Sequence, residues 1–292
     1  MVRSLPIAPL ALILAAQPAL AAERPPIQLP RVTNWEINYD EDACHLMTEF
    51  RDDTQRVLFK MTKTGLGNVF DLTLIGPQFA NNDLYLPVEV KFGSGKPSNT
   101  QGLSAVTASE KIPLIIISQL QLGDWIASGK DSKVEWYREL TPEQEAAVKF
   151  VEVKPGRYDT IQLKTGSMSA PMKAMRECTD NLIRYWGYDP AQLKSLSSWP
   201  RPLNNPQNWL TTPDYPSASL DRFLSGKLKF RLDVSEDGRV QGCRILNRNN
   251  LDEFAITTCK LVKKRARFDP ARDSQGKPTK AYYINSVIWL AG

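Results

Sequence analysis

Eight consecutive residues alternate strictly between charged and apolar: Lys227, Lys229, Arg231 and Asp233 against Leu228, Phe230, Leu232 and Val234. A period of two is the side-chain repeat of a strand that buries one face and wets the other. A helix is excluded here, because a 3.6-residue repeat would scatter both classes around its axis. The residues that follow supply what this strand must pack on. Ser235-Glu236-Asp237-Gly238-Arg239 reads as a hairpin turn, with glycine where positive φ is needed, and 240–246 returns as a second strand. Leu251, Phe254, Ala255, Thr258, Cys259 and Val262 then recur at helical spacing, with Asp252 and Glu253 in the first turn and Lys263, Lys264 and Arg265 in the last. Those charges suit the helix dipole at both ends. A final strand-like run, 279–290, sets Tyr282, Ile284, Ile288 and Leu290 on one face and Tyr283, Val287 and Trp289 on the other. The expected order is β-β-α-β.

With 292 residues the chain is long enough for two cores. Its first half reads mostly as strands: 44–50, 56–62, 69–75, 85–92, 113–120, 147–153 and 160–164 are rich in β-branched and aromatic residues between turn clusters. The Gly/Ser/Pro/Asn-rich stretch 91–101 reads as a loop. Then Ser167 or Ser169 can cap a helix in which Met172, Met175, Cys178, Leu182 and Tyr185 recur at helical spacing, with Gly187 as its C-terminal stop. Six prolines between 190 and 216 mark a boundary, and Trp199 and Trp209 suggest a linker laid against a surface. The expected fold class is α+β: a β-rich N-terminal domain ending in a helix over 22–189, a Pro-rich linker over 190–210, and a small β-β-α-β domain over 211–292.

Arg3, an apolar stretch broken by prolines and Ala19-Leu20-Ala21 read as a cleaved secretory signal over 1–21, which predicts export to the periplasm and no stable membrane insertion. In such a compartment four cysteines without C-x-x-C spacing predict two disulfides. Cys44 and Cys178 are the two of the first half. Cys243, on a strand face, and Cys259, on the apolar helix face, point at one core. The net charge of +5 is uneven: residues from 211 onward carry 15 Lys and Arg against 9 Asp and Glu. A basic module favours an acidic partner surface, although a solvated face explains the same excess.

Enzyme readings find little to stand on. His45 is the one histidine, and alternation sends it to the face opposite Cys44, toward solvent. Gly65-Leu66-Gly67 lacks the third glycine of a dinucleotide loop, and Gly93-Ser94-Gly95-Lys96 lacks the spacing of a P-loop. Asp52 and Asp53 adjoin in a turn beside Arg51, weak ground for glycoside chemistry. No catalytic residue, metal ligand, cofactor or nucleic-acid partner is expected.

The C-terminal landmarks carry a resemblance. Tyr215-Pro216, the run 226–234, Asp237-Gly238-Arg239-Val240, Leu251-Asp252, Arg267-Phe268-Asp269-Pro270-Ala271 and Gly276-Lys277-Pro278 follow one another as in the TonB C-terminal domain family. The resemblance covers the last quarter of the chain. It implies a three-stranded antiparallel sheet with helices on one face, whose last strand takes an extended segment of a periplasmic or outer-membrane protein. The implied partner-binding strand is Ala281, Tyr282, Tyr283, Ile284, Asn285, Ser286, Val287 and Trp289. Thr212 stands where TonB proteins have glutamine, and their long Pro-Glu/Pro-Lys tether does not appear, so binding is implied more strongly than force transduction. The alternative is an envelope structural or assembly factor in which the TonB-like unit only packs on the N-terminal domain.

Overall fold

The computed structural model describes residues 24–122, 139–247 and 252–291. The expected export signal and Leu251 lie outside the described residues. The first half forms one ten-stranded sheet from β1 (Ile27–Pro30), β2 (Glu36–Tyr39), β3 (Cys44–Arg51), β4 (Arg56–Lys63), β5 (Val69–Ile75), β6 (Tyr85–Phe92), β7 (Ser98–Val106), β8 (Pro113–Gln121), β9 (Val151–Pro155) and β10 (Ile161–Lys164). Their order is β1-β10-β9-β6-β7-β8-β5-β4-β3-β2. Only β1 and β10 run parallel. Arg31, just past β1, bridges to Phe50 of β3, so the β1 end of the order meets β3 and the sheet curls round on itself. Curling shields an edge that would otherwise be open to other chains.

Alternation decides which faces turn inward. Along β3 and β4 every second residue is buried, and Leu46, Phe50, Phe59 and Met61 join one core with residues of β5, β6, β8 and β9. Trp35 closes it with an edge-to-face contact to Phe59 at 5.5 Å. Helix α1 (Pro142–Ala147) begins at a Thr141–Gln144 capping box. Helix α2 (Ser169–Tyr185) adds Met172, Met175, Cys178 and Leu182 to the same core, and Cys178 is disulfide-bonded to Cys44 with Cα atoms 6.0 Å apart. Gly187 follows α2 with φ 85°, the left-handed turn that ends a helix without a Cβ penalty.

Several segments depart from the sequence reading. The stretch 91–101 is a loop only between β6 and β7, because β7 is a polar strand with half its residues exposed and shows no apolar alternation. Residues 147–150 belong to the end of α1 and the turn after it, so β9 starts at Val151. The N-cap of α2 is Met168, and Ser167 contributes only a long 3.4 Å bond to the Ser169 N–H.

Past α3 (Pro190–Lys194), β11 (Arg201–Pro202) and α4 (Ser217–Leu220) comes the small sheet: β12 (Gly226–Val234), β13 (Val240–Asn247) and, after α5 (Asp252–Arg265), β14 (Phe268–Asp269), β15 (Ala271–Arg272) and β16 (Pro278–Thr279), the long β17 (Ala281–Trp289). Its order is β13-β12-β17, with β12 antiparallel to both neighbours. Leu228, Phe230, Leu232 and Val234 pack with Phe254 and Val262 of α5, and Trp289 stacks on Phe254 at 5.4 Å. Cys243 and Cys259 tie β13 to α5 with Cα atoms 5.5 Å apart. Trp209 lies 1 % exposed in this core, beside Phe268, and β11 pairs with β14, so the proline-rich stretch is bound along its length.

Candidate functional site

The charged face of β12 is not in water. It lies against the N-terminal half, with Lys227 and Lys229 on strands of the large sheet and Arg231 and Asp233 on residues just past α2. Lys229 pairs with Asp71 at 2.5 Å, Lys227 donates to Ser118 Oγ at 3.0 Å, and Tyr188 donates to Asp233 at 2.9 Å. The Arg231 guanidinium stands 4.3 Å over the ring of Trp186 and is 7 % exposed. From β13, Arg244 reaches Asp42 at 2.5 Å and Glu41 at 2.8 Å. Burial and the Asp233 carboxylate push the Tyr188 hydroxyl well above its ordinary pKa, so it remains a donor. The alternation 227–234 is therefore a strand buried on both faces, one apolar and one ionic.

Tyr282 anchors this junction. Its ring takes edge contacts from Trp199 at 5.3 Å, Trp186 at 5.6 Å and Tyr188 at 5.7 Å, and its hydroxyl accepts the Leu66 N–H at 3.0 Å. Gly65 has no side chain because a Cβ there would stand 2.8 Å from that hydroxyl.

Strand β17 pairs with β12 on one side and, among the described residues, with no strand on the other. The Ser286 N–H donates to the Asn285 side chain at 2.8 Å, which sets it on the outward edge. By antiparallel alternation, Tyr282 and Ile284 turn their backbone groups the same way. This edge faces a cleft of about 990 Å³ whose walls come from residues 282–286, from the proline-rich stretch 198–206, and from Thr62, Leu66, Val69, Asp71 and Gln119 of the large sheet. A cleft of that size holds a short peptide.

The residues singled out in the sequence divide between core and cleft. Ala281, Tyr282 and Trp289 are buried inside the molecule, and Tyr283 packs on Phe268 at 5.0 Å. Ile284, Asn285 and Ser286 line the cleft, whereas Val287 packs with the small core. Tyr215 sits edge-on to Phe254 and Trp289 and donates to Leu224 C=O, with Pro216 opening α4. Gly238 has φ 75° and accepts the Phe268 N–H at 3.0 Å, and Pro270 separates β14 from β15. Those five motif residues hold the small sheet together, and none of them lines the cleft. His45 lies on the face opposite Cys44 but is covered, 3.0 Å from Thr62 Oγ1, and burial lowers its pKa. Sequence reasoning missed Leu66, Asp71 and Gln119, since local patterns carry no sign of pairing across more than a hundred residues.

Residues 211–289 match the family model described as Gram-negative bacterial TonB protein C-terminal. A solution NMR structure of the Pseudomonas aeruginosa TonB CTD is similar at 23 % identity, over 32 % of this chain and 87 % of that one, with a TM-score of 0.25. No curated protein matches the chain. Among the described residues no helix is long and apolar enough to cross a membrane. The C-terminal quarter, residues 211–289, is thus a match to the TonB C-terminal family, and the match does not extend into the large sheet.

Proposed function

We propose that this is a non-catalytic binding protein of the Gram-negative periplasm, which takes an extended segment of a periplasmic or outer-membrane protein as a further strand on β17 and so serves transport across the outer membrane. The observation that carries this reading is the outward edge of Ile284 and Ser286 standing on an open cleft. Main-chain hydrogen bonds to such an edge supply affinity, and alternate side chains supply selectivity. Each bond nets only about 0.5–1.5 kcal/mol, so several must form together.

The test is calorimetric titration of the full chain with synthetic extended segments of outer-membrane transporters. Binding is expected in the wild type and lost in Ile284→Pro, which removes an outward N–H and leaves the β12 ladder intact. Ser286→Pro serves as the second variant. Unchanged binding in both, or none in the wild type, refutes the reading.

The ionic docking of β12 on the large sheet favours a second reading, an envelope structural or assembly factor in which the TonB-like unit packs on the N-terminal unit and nothing more. That reading expects no peptide binding, and a loss of stability when Lys229 and Arg244 are both replaced by Ala.

A further inference from the structure

We propose that the large sheet supplies a second, sequence-reading wall to this cleft, that Gln119 is its specificity-determining residue, and that the segment it reads carries no basic side chain. The proposal rests on the strand-addition reading above.

Gln119 is unusual in its backbone. It lies within β8 at φ 60°, a left-handed conformation that a non-glycine residue rarely adopts inside a strand. It sits where the register between β5 and β8 slips, between Phe70 and Leu72. Such a conformation is costly and persists only where the surroundings enforce it. Here Asp71 enforces it. One carboxylate oxygen accepts the Gln119 N–H at 3.1 Å, and the other binds Lys229 of the small sheet at 2.5 Å. The residue that docks the two sheets also sets the backbone of Gln119.

The result is an exposed carboxamide on the wall of the cleft, with no partner among the described residues. A carboxamide offers one donor group and one acceptor, the complement of a single peptide unit. Asn285 and Ser286 line the same cleft from β17. A strand laid on β17 would therefore meet amide chemistry from both walls. Sheet-edge bonds are indifferent to sequence, so discrimination falls to groups such as Gln119 that meet the strand from outside the sheet.

The charges in the cleft indicate what the segment carries. Its ionic residues are Asp71, Lys229, Arg201, Asp269 and Arg272. Asp71 pairs with Lys229, and Asp269 pairs with Arg201 at 2.8 Å and with Arg272 at 3.5 Å. A basic segment would lose water and find both carboxylates engaged, whereas Asp269, shared by Arg201 and Arg272, leaves one positive charge over. Hydroxyl, amide, small apolar or acidic side chains fit instead. Part of the basic excess of residues 211–292 is answered within the chain, since Asp71 pairs with Lys229 and both Glu41 and Asp42 pair with Arg244.

The probe is a library of phage-displayed heptapeptides selected on the full chain. The selected peptides are then synthesised and titrated into the wild type, Gln119→Ala, Gln119→Gly and Ile284→Pro. Gln119→Gly is the informative variant, because glycine relieves the φ strain and should melt at or above the wild type. The expected result is selected sequences without Lys or Arg, and binding about tenfold weaker in both Gln119 variants. Peptides lost in Ile284→Pro but bound normally by both Gln119 variants would overturn this proposal and leave strand addition standing. Selected sequences dominated by basic residues would overturn its charge assignment. Peptides indifferent to Ile284→Pro, or no selected peptides at all, would remove the strand-addition reading and this proposal with it.

Discussion

The Leu66 N–H donates to the Tyr282 hydroxyl at 3.0 Å, a buried bond across 216 positions of sequence that joins the two sheets. Tyr282→Phe keeps the aromatic contacts and strands that N–H without a partner. The expected cost is about 1–3 kcal/mol, the penalty of an unsatisfied buried donor. A urea midpoint for Tyr282→Phe equal to that of the wild type would show that the bond is not important to the junction.

Gly238 and Gly276 make an internal comparison. Both have positive φ, at 75° and 80°. A Cβ at Gly276 meets open space, whereas one at Gly238 would stand 1.9 Å from the Phe268 carbonyl oxygen. Gly276→Ala should cost only the conformational term, about 1–2 kcal/mol. Gly238→Ala must also displace β14 and should be clearly worse. Equal losses in denaturant melts would contradict the contact.

Lys63 is fully buried and donates to the Gly67 carbonyl at 2.5 Å, and burial lowers its pKa to about 8. The unfolded chain holds that proton up to about pH 10.5. Between those values the unfolded state binds more protons, so stability rises with pH. Relative to Lys63→Met, the wild type should gain on the order of 2 kcal/mol from pH 7.5 to pH 10. The variant cancels the titration of other groups. A stability difference that stays flat with pH, or shrinks in the opposite sense, would contradict the shift.

Removing the two disulfides should not be equivalent. Cys44–Cys178 closes 134 residues and Cys243–Cys259 closes 16. Chain-entropy reasoning gives up to about 5 kcal/mol for the first and about 3 kcal/mol for the second. The first also steadies the end of α2, where Trp186 donates to Glu41 C=O at 3.2 Å and meets Tyr282. Cys44→Ser/Cys178→Ser should therefore melt lower than Cys243→Ser/Cys259→Ser. The reverse order would show that loop length does not govern here.

Strands with one buried face were legible from their alternation, as β3, β4, β5 and β6 illustrate. Strands without that contrast were not: β1 and β2 are short, and β7 is polar. The charged side of β12 was misread for a related reason. Alternation separates charged from apolar faces, but it cannot say whether the charged one meets water or Asp71, Trp186 and Tyr188. The reading of β17 as a docking edge came from the family resemblance and not from a local pattern. The opposite wall was not, because Leu66, Asp71 and Gln119 have no local pattern and gain their role only when the sheets meet.

The covered face of β12 has a practical corollary. Severed at residue 211, the C-terminal unit would bare Lys227, Lys229, Arg231, Arg244 and the ring of Tyr282, a sticky cationic plate that the intact chain conceals. Pull-downs with such a fragment would retrieve nucleic acid, anionic lipid and acidic bystanders, and would describe the wound and not the protein.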